Sequence, residues 1–94
     1  MQKTVKYKVK NGKLLEIRVI YDEKIQEVKI LGDFFMYPYE GLDIIEKELV
    51  GVRLNIDLIE EKINDVVKKN NIEMIGIDPK SIAISICEAE AQSD

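Results

Sequence analysis

Val5, Tyr7 and Val9 alternate with Lys6, Lys8 and Lys10. That is the period of a strand with one buried face, and it puts the lysines on the solvent side. Asn11-Gly12 follows at once, and both residues tolerate the positive φ of a tight hairpin turn. The return strand is predicted from about Lys13 to Tyr21, with Leu15, Ile17, Val19 and Tyr21 facing inward. Glu16 and Arg18 point the other way, but so do Leu14 and Ile20, so the outer face is not fully polar. Asp22-Glu23-Lys24 turns the chain into a third strand, from about Ile25 to Leu31. Val28 and Ile30 share one face of it, and Glu27 and Lys29 the other. Links this short carry no parallel crossover, so the expected sheet is an antiparallel meander.

The pattern breaks at Gly32-Asp33-Phe34-Phe35-Met36-Tyr37-Pro38. Both phenylalanines of the chain and one of its four tyrosines lie here, beside a glycine and an acid. Gly32 is expected in a backbone conformation closed to other residues, and Asp33 is placed to accept hydrogen bonds from nearby amides. Two readings stand: a strand-to-helix corner whose aromatics plug the core, or a contact surface for a partner.

A 3.6-residue period takes over next. The first helix is predicted from Pro38 or Tyr39 to Val50, because proline is favoured at a helix start. Leu42, Ile44, Ile45 and Leu49 would be buried, Glu46, Lys47 and Glu48 would fill the outer arc, and Gly51 would follow the C-cap. The second helix is expected from about Ile56 to Lys69. Asp57 and Asn55 compete as its cap, Ile56, Ile59, Ile63, Val66 and Val67 form its stripe, and Asn70-Asn71 stops it. Ile72–Ile77 reads as an apolar connector. Ser81–Cys87 alternates like a strand and is rich in β-branched residues. Asp78-Pro79, however, is a specific helix start, so a helix is expected over residues 79–89. Ala89–Asp94 is expected to fray.

Composition narrows the chemistry. Ninety-four residues fit one domain spanning 1–94. There is no histidine and one cysteine, which excludes histidine-dependent triads, structural zinc sets and internal disulfides. A carboxylate-only magnesium site is the metal option left, although acids on surface helices are common. Cys87 lies near Glu88 and Glu90, which raise a thiol's pKa, so it reads as a small buried residue. Gly12-Lys13 lacks the glycine spacing of a phosphate loop. Lys13 would still stand at a hairpin tip, able to reach a carboxylate or phosphate on a partner. Residues 1–30 hold eight basic and four acidic side chains, and residues 31–94 hold six and fourteen. Such asymmetry can orient a domain against a polar partner. The net charge of -4 and the lack of an RNA-binding signature argue against nucleic acid. No apolar run is long enough for a membrane span, and no signal-peptide pattern is seen. With a single cysteine in the chain, this points to the cytoplasm.

A meander containing Asn11-Gly12-Lys13-Leu14, then Gly32-Asp33-Phe34-Phe35, then a helix ending in Glu46-Lys47-Glu48-Leu49-Val50-Gly51 resembles the small accessory domain of lipoate–protein ligases. The resemblance covers roughly Val5 to Ala89. In single-chain bacterial ligases this is the C-terminal domain, and in archaeal two-component ligases it looks like the separate small subunit of a heterodimer. Members often have Gly-Gly-Lys where this chain has Asn11-Gly12-Lys13, a change that preserves the hairpin. The length leaves no room for the catalytic domain. The resemblance implies a large catalytic subunit that binds lipoate, ATP and magnesium, forms lipoyl-adenylate and passes the lipoyl group to a lysine of an acceptor protein. It implies no catalytic residue and no cofactor or metal site on this chain. Its implied role is to make the large subunit competent, and lipoyl-acceptor proteins are a further candidate partner. The small domain is also similar in fold to iron–sulfur scaffold and sulfur-acceptor proteins, which would need several cysteines or one exposed reactive cysteine.

The expectation is therefore an α+β fold: a three-stranded antiparallel meander packed against two long helices and a shorter C-terminal helix. The candidate partner-contact residues are Lys13, Gly32, Asp33, Phe34, Phe35 and Tyr37. Two alternatives remain: a protein-binding module unrelated to acylation, and a sulfur acceptor.

Overall fold

The computed structural model describes residues 2–8, 14–32 and 34–91. The Asn11-Gly12 turn, Lys13, Asp33 and the last residues of the tail lie outside the described residues. So do the side chains of the first strand other than Thr4.

The meander is formed by β1 (Gln2–Lys8), β2 (Leu14–Tyr21) and β3 (Ile25–Gly32), in the order β1-β2-β3 with both pairings antiparallel. Val5 pairs with Ile17 and Ile17 with Ile30, and the apolar residues of β2 and β3 line one face of the sheet. Leu15, Ile17, Val19, Tyr21, Val28 and Ile30 are all buried there, as the alternation predicts. Complete burial of one such side chain contributes roughly 1.5–3 kcal/mol. At the β2–β3 turn the Asp22 carboxylate accepts from the Lys24 amide (2.9 Å) and from Gln26 Nε2 (3.0 Å). The hydrogen bond from Lys24 holds its pKa below the ordinary aspartate value.

Three helices follow: α1 (Glu40–Leu49), α2 (Ile56–Lys69) and α3 (Pro79–Ala91). α1 packs along β3, α3 packs along β1 and β2, and α2 lies across α1 and α3. The Asn55 side chain accepts from the Leu58 amide at 3.1 Å, so Asn55 and not Asp57 caps α2. Asp78 accepts from the Ser81 amide at 2.7 Å, and that local cap overrides the strand-like alternation of residues 81–87. Gly51 follows α1 with φ +90° and donates to the Ile25 carbonyl at 2.7 Å. A left-handed conformation there is one that glycine adopts without steric cost.

The architecture corrects the expectation in several places. The α+β class holds, but a second, two-stranded sheet joins β4 (Phe35–Tyr37) to β5 (Glu73–Ile75). The segment expected to be an apolar connector thus supplies a strand. The third helix is not the shorter one: α3 has 13 residues and α1 has 10. α1 begins at Glu40, after a cis Tyr37–Pro38 peptide bond, so Pro38 lies ahead of the helix. Ile56 is exposed and drops out of the α2 stripe, whereas Ile59, Ile63 and Val66 are buried.

Glu46 is the clearest departure. It was expected on the solvated arc, but it is 8% exposed. Its position lies four residues after Leu42 and three before Leu49, which places it on the inward stripe. Its carboxylate accepts from the Ile30 amide at 2.8 Å, and Lys29 Nζ lies 3.8 Å away. β3 is an edge strand, so the outward N–H of Ile30 needs a partner from outside the sheet. Glu46 provides it and ties α1 to the sheet edge.

Candidate functional site

The site is built by the β4–β5 ribbon and the residues leading into α1. Phe35 pairs with Ile75, Met36 with Met74, and Tyr37 with Glu73. Successive residues of a strand point to opposite faces. Met36 and Met74 therefore turn toward the core, where Met36 is buried and Met74 half-buried. Phe35, Tyr37, Glu73 and Ile75 turn outward. Phe35 is 66% exposed, Tyr37 50% and Ile75 47%. Tyr39, 76% exposed, extends the row. Its ring lies 5.4 Å from that of Tyr37, tilted by 37°.

Beside this face, a shallow cleft of about 230 Å³ runs between Leu31, Gly32, Phe34, Phe35, Met36 and Tyr39. Leu31 is also exposed. Gly32 is required here by space: a Cβ at this position would run into the carbonyl oxygen of Leu14. Its φ is not in the left-handed region, so close backbone approach replaces the expected reason for the glycine. Two acids flank the aromatic row. Glu73 sits opposite Tyr37, and Glu40 follows Tyr39 in the first turn of α1. Both are exposed.

Gly32, Phe34, Phe35 and Tyr37 fall in or next to this site, and Lys13 and Asp33 lie outside the described residues. Phe34 and Phe35 have different surroundings. Phe34 is half-buried and packs against the core, whereas Phe35 is exposed. The idea that both aromatics plug the core thus fails for Phe35. Sequence reasoning missed Tyr39 and Ile75 as site residues. Tyr39 continues the two-residue spacing of Phe35 and Tyr37, a signal that was there to read. Ile75 reaches the site only through the pairing of β4 with β5.

The exposed face is aromatic and aliphatic, with phenol hydroxyls and the flanking carboxylates as its polar groups. Among its described side chains there is no serine, threonine, cysteine or lysine. Cys87 lies elsewhere, half-buried on α3 against the core. Among the described residues, no group of three or more His, Cys, Asp and Glu side chains is gathered to hold a metal ion.

The fold is similar to that of a chain in a solved structure of an archaeal lipoylation system, comprising a bi-partite lipoate protein ligase and its E2 lipoyl domain from Thermoplasma acidophilum. The TM-score is 0.75 with 24% identity, over 92% of this chain and 94% of that one. No curated protein is a significant match in sequence. The family model described as the bacterial lipoate protein ligase C-terminus matches residues 8–85. That span takes in β2, β3, the ribbon, α1, α2 and half of α3, and the chain therefore belongs to the family of lipoate protein ligase C-terminal domains.

Proposed function

We propose that this chain is the non-catalytic accessory subunit of a two-chain lipoate–protein ligase. The catalytic subunit would need it for ATP-dependent formation of lipoyl-adenylate, and hence for lipoylation of acceptor-protein lysines. The observation that carries this reading is family membership over residues 8–85. Support comes from the shared fold with a chain of a bi-partite ligase, matched along 94% of that chain.

In this reading the two chains divide the labour. Adenylation joins a carboxylate oxygen of lipoate to the α-phosphorus of ATP and releases pyrophosphate. The acceptor lysine then displaces AMP and forms an amide. Lipoate, ATP and magnesium bind to the catalytic subunit. The accessory chain acts across an interface, ordering loops of the catalytic site and excluding water from the adenylate. Among the described residues, no helix is long and apolar enough to cross a membrane. We place the complex in the cytoplasm, where ATP is supplied and a lone thiol stays reduced.

The test is direct detection of lipoyl-adenylate from lipoate, ATP and magnesium. The catalytic subunit of the same organism is assayed with and without this protein. Adenylate formed only in the mixture supports the accessory role. Equal adenylate from the catalytic subunit alone overturns it.

A further inference from the structure

The outward face of the β4–β5 ribbon has no role in holding the fold together. Met36 and Met74 supply the ribbon's attachment to the core, and Phe35, Tyr37, Tyr39 and Ile75 stay in solvent. Polar residues at these positions would leave the core packing unchanged. Scattered apolar residues on a surface need no explanation, but a contiguous row does. Aromatic side chains carry roughly 150–250 Å² each. Three of them, half to three-quarters exposed, therefore present on the order of 400 Å². Ile75 and Leu31 add to this. One side of a standard protein interface covers about 800 Å². The row is large enough to form the apolar centre of such an interface, with the flanking polar residues as its rim.

Charge restricts the partner. Glu40 and Glu73 flank the row, and the chain carries a net charge of -4. A second copy docked face to face would bring acids against acids, since a two-fold interface repeats the same patch on both sides. A partner with an apolar patch and a basic rim fits instead. Among the described residues, the other large exposed apolar side chains are Leu14 on β2 and Val50, Ile56 and Leu58 around the α1–α2 link, and none is aromatic.

Resting on the accessory-subunit reading, we propose that this face is where the catalytic subunit docks. Phe35, Tyr37, Tyr39 and Ile75 form the contact centre, and Glu40 and Glu73 pair with cations of the catalytic subunit.

The experiment measures the Kd of the purified catalytic subunit for this protein, alongside lipoyl-adenylate formation across a range of accessory-subunit concentrations. The variants are Phe35→Ser with Ile75→Ser, Tyr39→Ser alone, and Glu73→Lys with Glu40→Lys. Leu58→Ser serves as the control on the other surface, and thermal unfolding of each variant checks that the fold is kept. The expected result is a Kd raised at least ~30-fold by the apolar double variant, with adenylate formation recovered at high accessory concentration. The charge variant weakens binding and flattens its salt dependence, and Leu58→Ser leaves Kd unchanged. If the wild type binds and stimulates while the ribbon variants bind within about twofold of it, the docking face is wrong and the accessory role stands. If the wild type neither binds nor stimulates, the functional reading fails and the docking proposal fails with it. Self-association of the wild type through this face, abolished by Phe35→Ser, would also overturn the proposal.

Discussion

In β2, Leu15, Ile17, Val19 and Tyr21 turn inward and are sealed. Of the outward-facing residues, Arg18 is exposed, Glu16 is half-buried, and Leu14 and Ile20 keep part of their surface in water. In the β4–β5 ribbon the same two-residue period runs with its large apolar side reversed. Only Met36 and Met74 turn in, and Phe35, Tyr37 and Ile75 turn out. Both regions obey strand geometry, so geometry does not decide which face carries the large apolar side chains. In β2 that choice is accounted for by the core. In the ribbon the core is served by two methionines, and core packing does not account for the outward aromatics.

This difference becomes measurable when each region is cut back. The largest effect is expected at the centre of the sheet. Ile17→Ala removes a fully buried side chain and should cost ~2–5 kcal/mol of stability, read from denaturant unfolding. A loss below ~1 kcal/mol would mean that the site collapses around the smaller residue. Glu46→Ala comes next. It leaves the Ile30 amide without its acceptor and should cost about 1–3 kcal/mol, whereas Glu46→Gln keeps an acceptor and recovers most of that. Equal losses in the two variants would show that packing, and not the hydrogen bond, sets the effect. The smallest change belongs to the ribbon. Phe35→Ser and Tyr39→Ser should each shift stability by no more than ~0.5 kcal/mol. A larger loss at either position would make the ribbon a structural element like β2 and erase the contrast.

The regions also differ in how plainly their sequences declare them. β2 is legible because a strand with one buried face shows its period over Leu14–Tyr21. α2 is legible because Asn55 and Asn70-Asn71 mark its two ends. α3 is legible from Asp78 alone, whose side chain caps Ser81 even though Ile82, Ile84 and Ile86 alternate like a strand. The ribbon is not legible in this way. Three residues are too few to establish a period, and the partner of Phe35 is Ile75, far along the chain. The candidate site was therefore found in part. Its aromatic cluster is visible in the sequence, but the opposite orientations of Phe34 and Phe35 and the arrival of Ile75 require the fold. Glu46 was misplaced for a different reason. Apolar periodicity counts only apolar residues, and a carboxylate on the inward stripe looks like one more solvated charge until the edge of β3 is known.

That edge has a consequence for how the chain behaves in company. An open strand is a template on which foreign strands can assemble, and proteins blunt such edges with charge. β3 is the outer strand of its sheet on this side. Its Ile30 amide is already taken by a carboxylate, beside the ammonium of Lys29. An incoming strand meets an occupied donor and a charged pair where it would need a free ladder. Glu46 thus acts as a guard against aggregation, discouraging this small sheet from growing into an intermolecular one.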